Sequence, residues 1–264
     1  MMSSSKIGRM YGASLGPGDP GLITRRVWEL LQRGDAHWCY PVRRKDADSH
    51  ALQIVLRSGL TLPQEHTPLI FPMTHDTGIL ASYWLRAAKT VLARLRTGQD
   101  VLFLVEGDAS TYSTFGYLAR TVRALDDQVS IEIIAGVPSY NAAAARVAMP
   151  LAETDETVAI IPASYGIGMI ERLLVDFDTL VLLKVKPLLD DILDLLERRG
   201  LLTHAAFVEK AGTPMERVER DVACLRGQKV NYLSLLLIRN PDRNRGEIIR
   251  GCRKKASVST EEVA

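Results

Sequence analysis

The chain has 264 residues, of which 47% are hydrophobic and 24% charged, and its formal net charge is +2 at pH 7. This length allows two moderate domains, and the mixed, nearly balanced charge gives no reason to expect a nucleic acid partner. With no apolar run as long as a membrane span and no signal peptide behind residues 1–6, a cytoplasmic protein with reduced cysteines and no membrane partner is predicted.

The first half of the chain alternates predicted strands and helices, which is typical of a parallel sheet with crossover helices. Strands are predicted at 7–15, 36–40, 69–71, 101–105 and 129–134. Helices are predicted at 22–34, 49–59, 76–97, 114–124 and 140–147. Ser49 is the predicted N-cap of the second helix, and Ser113 or Thr114 that of the fourth.

Acidic, turn-prone residues at 149–156 predict a boundary between an N-terminal α/β domain, 1–148, and a C-terminal α/β domain, 149–240. In the second domain strands are predicted at 158–162, 179–184, 204–209 and 232–239, and helices at 167–175, 188–199 and 218–225. Strand and helix remain alternatives at 215–220. Residues 241–264 lack an apolar period, so they predict a flexible tail whose removal after Asn240 leaves folding intact.

Two glycine-rich loops follow predicted strands: GPGDP at 16–20 and EGDASTYS at 106–113. Glycine lets the backbone turn where a side chain would clash, and leaves amides free to face a ligand. In a parallel sheet both loops would lie at the carboxyl edge, where open α/β folds bind ligands. The first loop lacks a Gly-Lys-Ser/Thr ending, and Pro17 and Pro20 remove amide donors, so a nucleotide diphosphate is not predicted. Two ordinary turns are the alternative reading.

Several motifs occur together in a fixed order: GPGDP at 16–20, GDASTYS at 107–113, GVPS at 136–139, LKV at 183–185 and VEKA at 208–211. This ordered set resembles the tetrapyrrole methyltransferases, the S-adenosylmethionine enzymes of corrin and sirohaem synthesis. The segments FPMT at 71–74, YSTF at 112–115 and YLSLLL at 232–237 are similar to the precorrin-2 or cobalt-factor II C-20 branch. Ala109, Ala135 and Pro138 depart from the residues usual in the family.

The resemblance implies two α/β domains with S-adenosylmethionine folded into the cleft between them, a homodimer, and no metal bound by the protein. The positions that match the family's cofactor contacts, many of them made by backbone, are Pro17, Glu106, Gly107, Asp108, Thr111, Tyr112, Pro138, Ser139, Lys184 and Ala211. Asp108 is expected either to accept a hydrogen bond from the cofactor ammonium or to orient its loop. Tyr112 is expected to wall the cofactor pocket or to be an ordinary packed tyrosine.

A tetrapyrrole with carboxylates on its rim requires cationic or amide partners. Arg43, Arg44 and Lys45 are the predicted substrate-binding residues, with a solvated run of charges as the alternative. Methyl transfer to a carbon depends on alignment in a dry cleft more than on an acid or a metal. His75, Asp76 and Asp108 are candidate bases for the proton that the methylated carbon must lose, but the sequence singles out none, so the catalytic residue stays unassigned.

The prediction is therefore an S-adenosylmethionine-dependent methyltransferase that acts on C-20 of precorrin-2 or cobalt-factor II in cobalamin biosynthesis. Methylation at another macrocycle position remains an alternative within the family, since the shared loops would bind the cofactor rather than choose the carbon. A non-catalytic α/β module that binds a small metabolite is the alternative from a different class.

Overall fold

Two five-stranded sheets organise residues 7–246, the part of the chain that the computed structural model describes. The first sheet has the order β3-β2-β4-β1-β5 and the second β6-β7-β10-β8-β9. The first half contains β1 (Met10–Ser14), α1 (Arg25–Leu31), β2 (His37–Val42), α2 (His50–Arg57), β3 (His66–Ile70), α3 (Thr77–Leu95), β4 (Val101–Val105), α4 (Phe115–Leu125), β5 (Ile131–Ile134) and α5 (Ser139–Arg146). The second half contains β6 (Val158–Pro162), α6 (Ile167–Asp176), β7 (Thr179–Leu183), α7 (Leu189–Arg198), β8 (Ala205–Glu209), β9 (Arg217–Glu219) and β10 (Ser234–Arg239).

The first sheet is entirely parallel, as its alternating pattern predicts, and β1 lies between β4 and β5. Side chains of β4 alternate between its two faces because successive residues of a strand point in opposite directions. Phe103 packs with residues of α3 and α4, whereas Leu102 and Leu104 pack with residues of α1 and α2. Both faces are thus covered by helices, which leaves the carboxyl edge for a site.

Side chains cap three helices of the first half, two of them at the residues predicted from the sequence, Ser49 and Ser113, and the third at Asp76, which had not been predicted as a cap. Ser49 Oγ accepts a hydrogen bond from the N–H of Leu52 (3.3 Å), and Asp76 accepts one from the N–H of Ile79 (2.9 Å). At the fourth helix Ser113 Oγ accepts from the N–H of Phe115 (3.0 Å), while the Thr114 side chain makes no capping bond. Such caps satisfy backbone donors that have no partner within the helix.

The second sheet is mixed: β6 pairs with β7 in parallel, and the last strand β10 inserts antiparallel between β7 and β8. Helices α6 and α7 cover one face of this sheet. On its other face Ala143, Ala144 and Val147, from α5 and its end, pack against residues of β7, β8 and β10. Because α5 packs on the second sheet, we propose that it belongs with the second half of the chain, whereas the predicted boundary at 148/149 assigns it to the first.

One element of the second half differs from the sequence prediction. Residues 218–225 do not form the expected helix: Arg217–Glu219 is the edge strand β9, and Val222–Leu225 is a short 3-10 helix. Pairing of β9 with β8 fixes the extended form, which also decides the open question at 215–220. Cross-strand pairing with the preceding strand β8 outweighs local helical spacing here.

Residues 241–246 contact the folded chain, which does not fit a flexible tail that begins at residue 241. The Asp178 side chain is 1% exposed, and its carboxylate pairs with Arg243 (2.5 Å) and Arg245 (2.5 Å). Burial alone would raise the pKa of Asp178, but hydrogen bonds from Thr157 and these two arginines hold it well below its usual range. We revise the tail prediction for 241–246; residues 247–264 lie outside the described part.

We expect truncation after Asn240 to lower the free energy of unfolding by about 1–3 kcal/mol relative to truncation after Gly246, because Asp178 loses two charged hydrogen-bond donors while it stays buried. A carboxyl with a lowered pKa contributes stability above its unfolded pKa and loses it as the pH falls. The difference in the free energy of unfolding between the two truncated proteins should therefore become smaller below about pH 4. Urea denaturation of both truncated proteins at pH 7 and pH 3.5 measures it, and equal midpoints at pH 7 would contradict the anchoring role.

Candidate active site

The two glycine loops lie side by side at the carboxyl edge of the first sheet, as the sequence predicts. Gly16 and Gly107 form an antiparallel bridge in which each N–H donates to the other's carbonyl, at 3.2 Å and 2.8 Å. Both glycines have φ of +76°, a conformation that side-chain-bearing residues rarely adopt. The expectation that the loops leave their amides free for a ligand is wrong at these two positions, because the amides pair with each other.

Two buried side chains hold these loops to the strand end of β5. Ser14 Oγ donates to the carbonyl of Ile134 (2.5 Å) and accepts from the N–H of Ala109 (2.8 Å). Asp108 accepts from the N–H of Gly136 (2.6 Å), and from both the N–H and the hydroxyl of Ser110. Sequence reasoning missed Ser14, and its position at the end of β1 was the available signal.

The hydrogen bonds decide the role of Asp108. Burial would raise its pKa, but the hydrogen bonds from Ser110 and Gly136 outweigh that effect and lower it. One carboxylate oxygen serves Ser110 and the other serves Gly136. Of the two expected roles, orientation of the loop is therefore the one that the geometry shows.

The first loop also meets the second half of the chain. A Cβ on Gly18 would lie 2.7 Å from the carbonyl oxygen of Ala211, and one on Gly212 would lie 2.8 Å from the backbone nitrogen of Asp19. Glycine is needed at both positions because backbone meets backbone there. On the other side of the cleft, the Tyr112 hydroxyl donates to the carbonyl of Ile160 on β6 (2.9 Å). Tyr112 thus links the second loop to the second sheet.

Between these contacts lies a cleft of about 400 Å³, which is within the size range of small-molecule sites. Its walls come from both sheets. All ten residues expected to contact a cofactor line it: Pro17, Glu106, Gly107, Asp108, Thr111, Tyr112, Pro138, Ser139, Lys184 and Ala211. The structure thus brings together positions that are up to 194 residues apart, and their contact with a cofactor stays a prediction.

Only one of the three predicted substrate-binding cations lines the cleft. Arg43, directly after β2, is among the lining residues, whereas Arg44 and Lys45 are not. The chain turns back at this point: the N–H of Ala47 donates to the carbonyl of Arg44 (3.2 Å), and Asp46 has φ of 60°. This turn keeps Arg44 and Lys45 on the exposed surface, so we remove them from the candidate site.

Basic and aromatic side chains that were not predicted as site residues also line the cleft. His50, in the first turn of α2, and Lys210, after β8, add basic groups. Burial and the neighbouring Arg43 lower the pKa of His50. Tyr232 supports the predicted Lys184, whose Nζ lies 5.7 Å from the centre of its ring. Lys184 and Lys210 both have positive φ, at 57° and 51°.

Glu106 differs from its neighbour Asp108 in having no hydrogen bond or ion pair with any residue in 7–246. It follows β4 directly and faces the cleft. Burial raises its pKa to about 7, and the Arg43 charge opposes this rise. Of the three side chains that the sequence offered as bases, His75 and Asp76 do not line the cleft, and Asp76 caps α3.

The chain belongs to the tetrapyrrole (corrin/porphyrin) methylases, whose family model matches residues 9–223. It is 34% identical over 232 residues to the cobalt-precorrin-2 C(20)-methyltransferase of Salmonella typhimurium, covering 88% of this chain and 96% of that protein. It is 27% identical over 246 residues to the precorrin-2 C(20)-methyltransferase of a Sinorhizobium species, covering 90% and 97%.

Solved structures share the fold. A cobalt precorrin-4 methyltransferase superposes with a TM-score of 0.63 at 23% identity, covering 87% of this chain and 94% of that one. The uroporphyrin-III C-methyltransferase of Thermus thermophilus, complexed with S-adenyl homocysteine, superposes with a TM-score of 0.58 at 23% identity, covering 88% and 97%. In the described part of this chain no helix is long and apolar enough to cross a membrane. Within the same residues no group of three or more His, Cys, Asp or Glu side chains could hold a metal ion.

We expect Glu106→Gln to stabilise the ligand-free protein at pH 8 by at most ~3 kcal/mol and to have little effect near pH 4. The physical reason is that a carboxyl group whose pKa is raised in the folded state lowers the stability of the protein as the pH rises from its unfolded to its folded pKa value. Glutamine carries no charge, so the variant protein does not lose stability over this pH range. Thermal unfolding at both pH values measures the difference.

Asp108→Asn is the matched control, and it should destabilise at pH 8 because the carboxylate that binds Gly136 and Ser110 is lost. An equal effect of Glu106→Gln at pH 4 and pH 8 would contradict a buried, uncompensated carboxyl.

Proposed function

We propose that this protein is an S-adenosylmethionine-dependent methyltransferase that methylates C-20 of precorrin-2 or of its cobalt-containing counterpart in cobalamin biosynthesis. The observation that carries the proposal is the 34% identity to a cobalt-precorrin-2 C(20)-methyltransferase over almost the whole length of that protein. Relatives named for the metal-free and for the cobalt-containing substrate both match, so the metal state of the macrocycle is left to experiment. We also propose a cytoplasmic homodimer, on the family resemblance alone.

The volume of the cleft, about 400 Å³, is typical of small-molecule sites, which supports the proposed methyl donor. An added Cβ on Gly107 would meet no atom within 4 Å, so the missing side chain leaves room for a ligand against the backbone. In our proposal Pro17, Gly107, Thr111, Tyr112, Pro138, Ser139 and Ala211 form the walls around the cofactor. When bound, the cofactor supplies a methyl group on a sulfonium sulfur, and the chain's part is to align donor and acceptor away from water.

The macrocycle's carboxylates are assigned to the basic groups at the cleft: Arg43, His50, Lys184 and Lys210. These groups come from loops after β2, β7 and β8 and from the start of α2, so they surround the opening from both sheets. Arg43 is solvent-exposed, which allows salt to screen its pairing with a carboxylate. This set replaces the contiguous run of residues 43–45 that the sequence suggested.

The function is tested by incubating the purified protein with S-adenosylmethionine and each macrocycle, metal-free and cobalt-loaded. Mass spectrometry should show the addition of one methyl group, and NMR should place it at C-20. Methylation at another carbon would assign the protein to a different position within the family. Binding of S-adenosylhomocysteine by calorimetry with no methylated product from either macrocycle would instead favour a non-catalytic binding module.

We expect Gly107→Val to weaken S-adenosylhomocysteine binding at least tenfold, and Gly107→Ala to weaken it less. Both substitutions strain a position with φ of +76°, at a cost of roughly 1–3 kcal/mol. Only valine adds the two methyl groups that reach into the cleft. Calorimetry measures the affinity, with circular dichroism as the check on folding, and a folded Gly107→Val protein with unchanged affinity would place the cofactor elsewhere.

We expect Arg43→Gln to raise the KM for the macrocycle about 1.5- to 5-fold, the effect of one exposed ion pair. The effect should be larger at low salt, and the affinity for S-adenosylhomocysteine should not change. The double variant Arg44→Gln/Lys45→Gln is the matched control. It removes two positive charges, twice as many as Arg43→Gln, at residues that do not line the cleft. Steady-state kinetics at two ionic strengths measure both proteins, and a larger KM effect in the double variant would restore the original prediction.

A further inference from the structure

Glu106 has the position and the free capacity of a proton acceptor. It is the first residue beyond the buried strand β4, and it precedes the glycine whose absent side chain leaves the cleft open. Its carboxyl group faces the cleft and makes no hydrogen bond or ion pair with any described residue. The residue is half-buried and its carboxyl has no protein partner, so the carboxyl is free to interact with a bound ligand.

The other acceptors at the cleft are less suited to this task. Asp108 uses both carboxylate oxygens to hold Ser110 and Gly136. Asp48 and His50 are solvent-exposed at the rim, where water competes for any proton. The Tyr112 hydroxyl donates its proton to the carbonyl of Ile160.

The proposed reaction creates a need for such a group. A meso carbon that accepts a methyl group still carries its own hydrogen, so it becomes tetrahedral and interrupts the conjugation of the macrocycle. Loss of that hydrogen as a proton restores the conjugation. A carboxylate inside the cleft and near the carbon would speed this step by accepting the proton.

We propose that Glu106 accepts the proton from the methylated meso carbon, an assignment that rests on the proposed function. In this step the C–H bond breaks, its electron pair returns to the macrocycle, and a new O–H bond forms on the Glu106 carboxylate. The macrocycle loses the positive charge that it gained with the methyl group. The protonated carboxyl then returns its proton to solvent after product release.

The electrostatics agree with this role. Burial raises the pKa of Glu106 to about 7, which is near the value at which a general base is most effective. The charged groups that line the same cleft are Arg43, Asp48, His50, Asp108, Lys184 and Lys210. Of these, Arg43 lowers the pKa of Glu106 and thereby favours the ionised, accepting form. The ionised form is required, so kcat/KM, which reports the pKa of the free enzyme, should rise with pH to a plateau above about pH 7.

The test is Glu106→Gln, assayed with macrocycle carrying either hydrogen or deuterium at C-20. We expect kcat to fall by about 10²- to 10⁴-fold, the usual contribution of a general base. We also expect the rise of kcat/KM through pH 7 to disappear. A primary isotope effect on kcat should be larger than in the parent protein, because proton loss becomes the slow step. Glu106→Asp should recover part of the activity.

Binding measurements separate this role from a purely electrostatic one. The affinities of Glu106→Gln for S-adenosylmethionine and for S-adenosylhomocysteine should both stay within a few-fold of the parent values. Asp48→Asn, which removes an exposed carboxyl at the rim, should leave kcat within about twofold. A parent-like kcat in Glu106→Gln would overturn the assignment. The assignment would also be overturned if Glu106→Gln lost affinity for S-adenosylmethionine, but not for S-adenosylhomocysteine, by a factor that accounts for its whole loss of activity. A parent protein that methylates neither macrocycle at C-20 would overturn the proposed function and this assignment with it.

Discussion

The pairing of Gly16 with Gly107 is the constraint on which the rest of the site depends. Two backbone hydrogen bonds join loops that leave adjacent parallel strands, and both residues need φ near +76° to make them. A Cβ at either position would strain this conformation. Once the loops are joined, Glu106 and Asp108 are held on either side of Gly107. They lie at the carboxyl edge of the sheet, at the place where the order of the strands reverses, and open α/β sheets bind ligands there.

The pKa values of two carboxyl groups in one loop shift in opposite directions, because only one of the two groups receives hydrogen bonds. Asp108 receives hydrogen bonds from Ser110 and from the backbone of Gly136, so its pKa falls despite burial. Glu106 receives none from the described residues, so burial dominates and its pKa rises. The first is thereby committed to holding the loop, whereas the second stays available for chemistry. Residues only two apart in sequence can serve these separate purposes because the intervening glycine turns the chain.

The cleft exists because the two halves of the chain meet at two places and leave a space between them. Backbone contact at Gly18 and Gly212 closes one side, and the hydrogen bond from Tyr112 to Ile160 links the other. The placement of α5 on the second sheet brings Pro138 and Ser139 into the same cleft. A residue's contribution to the site therefore depends on contacts between the two halves of the chain.

The sequence by itself determined the parallel first sheet, the caps at Ser49 and Ser113, and the family, because strand periodicity, capping residues and motif order are local signals. It also indicated which loops meet, since neighbouring parallel strands present their ends at one edge. Tertiary structure alone decided that β9 is a strand, that Arg43 faces the cleft while Arg44 and Lys45 do not, and that Glu106 rather than Asp108 lacks hydrogen-bond donors. Each of these depends on pairing between segments, on hydrogen bonds between loops or on the direction of a turn, which local composition does not encode.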